Sequence, residues 1–233
     1  MFLSVEQTVS QTLPRSVIDC VDEITVTHLQ NKTLYETIDT VKQIKEQNPN
    51  KNIVPHIAAR NLHSKKELVD CCEQFKSLGV ATVLVIGGNL RQGRFYQSAY
   101  QLCGTIKEHD LRRLCGVYPQ KETYGDVQRK KYTSFSGGIT QFCLSTKLLN
   151  QFHANTRIGV PSMCSLSNLL KYMQRCGVIA STKAAATNLS GIAYLNATGF
   201  DTAKFVSNID NTAFHVYNFG KIEQTVAKLR EQI

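Results

Sequence analysis

The chain has 233 residues, 42% hydrophobic and 19% charged, the ordinary balance of a globular protein and enough length for one barrel-sized domain. No apolar run approaches the roughly 18 residues that span a bilayer, so no membrane partner is expected. The formal net charge of +9 favours anionic ligands, but no basic block is longer than Arg129-Lys130-Lys131, which argues against nucleic acid as a partner.

Met1-Phe2-Leu3-Ser4-Val5-Glu6 lacks the basic start and long apolar stretch of a signal peptide and reads as a first strand at 2–6. A second strand is expected at 22–28. Thr33, with Glu36 three residues on, has the form of a capping box, and Leu34, Ile38 and Val41 then share one helical face. A third strand is expected at 52–57. Ser64 and Glu67 make a second box before Leu68, Cys72 and Phe75, and Gly79 stands where a left-handed residue ends a helix. The fourth strand, 81–87, is apolar on both faces, as in parallel sheets covered by helices. Phe95, Ala99, Leu102 and Ile106 form the next helical stripe. Strands at 113–118, 138–144 and 156–161 come next. Leu166, Leu169, Leu170 and Met173 then mark a helix closed by Gly177. The stretch 178–212, rich in Ala, Ser, Thr and Asn, breaks the rhythm and is expected to insert short helices over one end of the fold. A strand at 213–217 and a helix with Ile222, Val226 and Leu229 inward close the pattern.

Eight strand–helix units in one chain predict a single-domain α/β fold over 1–233, a (β/α)8 TIM barrel. The rival, an open doubly wound sheet, is expected to carry a glycine-rich nucleotide loop, and neither G-x-G-x-x-G nor G-x-x-x-x-G-K-[ST] occurs. The eight cysteines, at 20, 71, 72, 103, 115, 143, 164 and 176, form no C-x-x-C pair and none lies at zinc-ligand spacing from a histidine. They read as small buried hydrophobes of a reducing, cytoplasmic protein, and no metal is expected.

In such a barrel the chemistry sits where strands end and the following loops begin. Those positions carry Glu6, Thr27 with His28, His56 with Arg60, Asn89, Tyr118, Gln141, Pro161 with Ser162, and His215 with Tyr217. Together they make a ring of donors and acceptors with few charges, which suits a heterocyclic ligand better than a metal.

The order and wording of these strand ends resemble the methylenetetrahydrofolate reductase family. Val5-Glu6, Ile24-Thr25-Val26-Thr27, Val54-Pro55-His56-Ile57, Gly88-Asn89, Val117-Tyr118-Pro119, Ile139-Thr140-Gln141-Phe142, Arg157-Ile158-Gly159-Val160-Pro161 and Phe214-His215-Val216-Tyr217 follow one another as that family's strands do. The resemblance implies hydride transfer from NAD(P)H through FAD to a folate one-carbon unit. It implies Glu6 as the general acid, Gln141 on the pterin, and Asn89 where the family carries an aspartate beside the flavin. Thr27, His56, Gly88, Asn89, Tyr118 and Lys130 would hold the cofactor, and Gln141 and Lys221 the substrate. Asn89 in place of a carboxylate, together with a shortened segment between Tyr118 and Gln141, leaves two alternatives open: a flavin-independent folate reductase, or a non-catalytic flavin- or folate-binding barrel. The oligomeric state is also open, with room for a homo-oligomer.

Overall fold

The alternation of strand and helix closes into a cylinder. The computed structural model describes every residue except 89, 91–94, 123–124, 127–128, 130–133, 153–154, 177, 179–192, 198 and 233. Its barrel strands are β1 (Phe2–Gln7), β2 (Glu23–Val26), β3 (Asn52–Ala58), β4 (Thr82–Ile86), β5 (Arg112–Val117), β6 (Gly137–Thr140), β7 (Thr156–Pro161) and β10 (Ala213–Tyr217). They are all parallel, in chain order, and β10 closes on β1. Taken once round, the pairings step the chain by about eight residues, the shear of a (β/α)8 barrel.

Between the strands run α1 (Arg15–Cys20), α2 (Leu34–Gln47), α3 (Lys65–Ser77), α4 (Cys103–Glu108), α5 (Thr146–Leu149), α6 (Leu166–Arg175), α7 (Thr202–Val206) and α8 (Ile222–Arg230). The sequence signals for two of these operate, the first in full and the second in part. Thr33 accepts the Glu36 backbone N–H at 3.3 Å, and the Glu36 carboxylate accepts the Thr33 N–H at 2.7 Å. Ser64 accepts from Glu67 N, whose carboxylate instead takes the N–H of His63. Gly79 adopts φ +72° after α3. The stripe expected from Phe95 to Ile106 is shorter: the helical run begins at Ala99, and Phe95 is exposed, edge-on to Tyr96. Gly177 lies outside the described residues, as does much of 178–212. The described part of that stretch forms a small hairpin, β8 (Leu195–Asn196) with β9 (Gly199–Phe200), followed by α7.

Residues two apart on a strand share a face, and this separates two cores. Outward residues pack under the helices, among them Leu3, Val5, Ile24, Val83, Val85, Ile158 and Phe214. Inward residues Val54, Leu84, Leu114 and Ile139, with Ile86 against them, form a separate apolar plug on the β3–β6 side of the lumen. The β7–β10–β1–β2 side of the lumen is polar instead: Ser4 Oγ meets His215 Nδ1 at 2.9 Å, and Thr25 Oγ1 donates to Val5 O. The last helix ties the chain ends to the barrel, since Arg230 donates to Cys20 O and Met1 O and pairs with Asp22. Among the described residues no helix is long and apolar enough to cross a membrane.

Candidate active site

The inward parity that places Val54 and Leu114 in the plug places Glu6, Thr27, His56, Gln141 and Tyr217 above it, where the strands end. Glu6 is next to last in β1, with Cα paired to Thr25 of β2. The residue as a whole is half-buried, but atoms crowd its carboxyl closely enough that burial raises its pKa to about 7. Among the described residues no hydrogen bond or ion pair reaches it, so nothing opposes the desolvation.

Tyr217, at the end of β10, stands beside it. Gly159 makes this placement possible: a Cβ there would lie 2.1 Å from Thr140 O and 2.7 Å from the Tyr217 ring. The ring therefore lies across β7, and its hydroxyl donates to Thr140 O at 2.9 Å. Burial, then Glu6, Cys176 and Tyr118, hold the phenol well above its usual range, so it remains protonated.

Gln141, just past β6, donates its side-chain N–H to Cys176 O at 2.7 Å. The contact brings the C-terminal end of α6 against the mouth. Burial and then Glu6 push the Cys176 thiol up to about 11, so carboxyl, phenol and thiol share one low-dielectric space. The α6 helix is seated on the rim by Tyr172, stacked on Phe219 at 4.0 Å, and by Asn168, which donates to Phe219 O.

Three histidines add to the setting. His28 accepts the Ala58 N–H on Nδ1 at 3.2 Å. Burial lowers the His28 imidazole to about 4 and the His56 imidazole to about 3, with His28 adding to the effect on His56. His215 is likewise held well below its ordinary value by burial, then by His56 and Arg157. All three are neutral at pH 7, and each leaves Nε2 buried without a partner among the described residues. An orphaned buried polar atom costs about 1–3 kcal/mol, and such violations collect at functional sites.

The other expected residues are placed as follows. Thr27 is buried, with its hydroxyl at 3.5 Å from Gln7 O. Gly88 adopts φ +84°, and its carbonyl, like that of Gly87, accepts from the Arg60 guanidinium. Tyr118 is 40% exposed at the end of β5. Lys221 is exposed, and its backbone N–H donates to Met163 O ahead of α8. Asn89 and Lys130 lie outside the described residues. Among the described residues no three His, Cys, Asp or Glu side chains converge as a metal site. Sequence reasoning passed over Ser4, Thr140 and Cys176. Ser4 shares the inward parity of Glu6 and was legible on that ground; Cys176 carried no local signal, because only the return of α6 to the mouth brings it there.

No known protein-family profile matches the chain, and no curated protein matches its sequence. Its fold is similar to that of solved barrels. Oxaloacetate acetylhydrolase aligns at TM-score 0.57 with 9% identity, over 99% of this chain and 80% of that one. The tryptophan synthase alpha chain from Legionella pneumophila subsp. pneumophila aligns at 0.58 with 7% identity, over 99% and 90%. The 2,3-dimethylmalate lyase of the PEP mutase/isocitrate lyase superfamily aligns at 0.52 with 10% identity, over 99% and 80%. At such identities the likeness is one of fold alone.

These findings correct the functional expectation. The barrels this chain is similar to are a hydrolase, a synthase subunit and a lyase, not flavin-dependent reductases. Hydride transfer through FAD to a folate, and the flavin-free and binding-only variants of that reading, are withdrawn. Strand ends that follow one another in order locate the rim of a barrel and fix no activity. Any closed parallel barrel repeats short apolar strands that end in polar loop residues, in one obligatory order.

Proposed function

We propose that the chain is an enzyme of the acid–base type, moving a proton between Glu6 and a small substrate held at the C-terminal mouth of the barrel. The observation that carries this reading is the desolvated carboxyl of Glu6, at a pKa of about 7, in a ring of neutral side chains. A general acid or base works best when its pKa lies near the operating pH, since both forms are then populated. Around it the Tyr217 hydroxyl, the neutral His56 ring and the Gln141 amide offer hydrogen-bonding groups without a competing charge. The similar barrels are named a hydrolase, a lyase and a synthase subunit, names compatible with proton transfer as the protein's contribution.

The test is deuterium uptake. A panel of small metabolites is incubated with the chain in D2O and followed by proton NMR. Exchange at a substrate C–H is expected with the parent, falling by roughly 10²–10⁴-fold in Glu6→Gln, the usual cost of removing a general acid or base. A substrate exchanged equally fast by both proteins, or a Glu6 carboxyl that titrates near 4.5 in carbon-13 spectra, would overturn the reading.

A further inference from the structure

The opposite end of the barrel carries a cavity, which the chemistry at the mouth does not use. Its volume is about 350 Å³, and Phe2 and Leu114 form its apolar floor. Leu114 belongs to the plug with Val54, Leu84 and Ile139, so this cavity and the mouth lie on opposite sides of packed side chains. Arg112, Arg157, Thr82 and Ser136 also line it. All are at or just before strand starts, a layer that barrels ordinarily fill with bulky branched residues.

The two arginines differ in how their charge is used. Arg157 pairs with the buried carboxylate of Glu23 and lies over the Phe2 ring at 4.8 Å. Arg112 has the same inward parity as Leu114 and is exposed; its backbone N–H donates to Ala81 O, but its guanidinium has no hydrogen bond or ion pair among the described residues. Glu23 is the acidic group that feels both arginines. With its one charge matched to Arg157, the cavity keeps one uncompensated guanidinium. A purely structural floor needs no such charge, and a guanidinium fork matches the paired oxygens of phosphate or carboxylate.

We propose that the N-terminal end of the barrel is a binding site for a small oxyanion, phosphate or carboxylate, taken by Arg112 with Arg157 and the neighbouring hydroxyls. The site is independent of the proton-transfer reading, because the apolar plug separates Arg112 from Glu6.

Inorganic phosphate and succinate are titrated separately into the full chain by calorimetry at low ionic strength. Saturable binding of at least one is expected, and the preferred anion says whether the site takes phosphate or carboxylate. Arg112→Gln, a change at an exposed side chain, should weaken binding by roughly tenfold or more, as expected when a charged hydrogen-bond partner is lost. Lys221→Gln and Glu6→Gln, at the far end, should leave it unchanged. No saturable binding of either anion, parent-like binding by Arg112→Gln, or equal weakening by Lys221→Gln would overturn the proposal.

Discussion

Replacing Glu6 by Gln should stabilise the protein at alkaline pH while sharply slowing proton transfer. In the unfolded chain the carboxyl titrates near 4.5, and in the folded chain near 7. A folded pKa raised in this way means that the group's contribution to stability is fully present below 4.5 and is lost as pH rises through about 7. The full shift corresponds to about 3 kcal/mol at pH 8. Because the residue is only half-buried, water screens some of this, leaving about 2–3 kcal/mol. Glutamine is nearly isosteric and never ionises, so it avoids that cost and leaves no described partner unpaired. For a chain of this length about 2–3 kcal/mol corresponds to a rise in Tm of roughly 5–10 °C. Thermal melts of parent and Glu6→Gln at pH 8, 6 and 4.5 should show the gap at its largest at pH 8 and closing toward zero at 4.5. Titrations common to both proteins cancel in the difference. A gap that does not vary with pH, or a less stable variant at pH 8, would refute the claim that desolvation sets the carboxyl's behaviour.

Other outcomes follow from the same packing. His28 and His56, lowered to about 4 and about 3 from 6.5, stabilise the fold above pH 6.5, and this is lost as pH falls toward their folded values. At pH 5 each should have lost about 2 kcal/mol, so His56→Gln should flatten the acid limb of urea midpoints by that amount. Gly159→Ala places a Cβ 2.1 Å from Thr140 O and should lower stability by about 3 kcal/mol or more, read as a lower denaturation midpoint. Gly104→Ala, in α4 with nothing within 4 Å of the new methyl, should raise the midpoint by about 0.5–1 kcal/mol. Thr33→Ala removes the α2 cap seen at 3.3 Å and should cost about 1 kcal/mol in the same assay.

The eight strands were legible because their signals are local. The apolar run at 82–86 and the strands Thr156–Pro161 and Ala213–Tyr217 needed only short runs buried on both faces and the helices between them. The box at Thr33 and the cap at Ser64 were readable because a cap is made within four residues, although the Glu67 carboxylate takes the His63 N–H and leaves the second box half made. Phe95 was misread because an apolar residue at helical spacing does not reveal whether anything stands opposite to bury it. The reductase reading failed because one fold carries many activities, so the order of its strand ends fixes none of them.

Residue types, spacing and alternation by themselves determined the cylinder and the rim on which polar groups would stand. Only closure of the barrel decided what those groups are. It set the lumen side of Ser4 and His215, brought Cys176 against Gln141, and left Arg112 facing a cavity on its own. Strand periodicity depends on neighbours a few residues apart, whereas the removal of water from Glu6 depends on atoms contributed by strands more than 200 residues away along the chain, such as Tyr217.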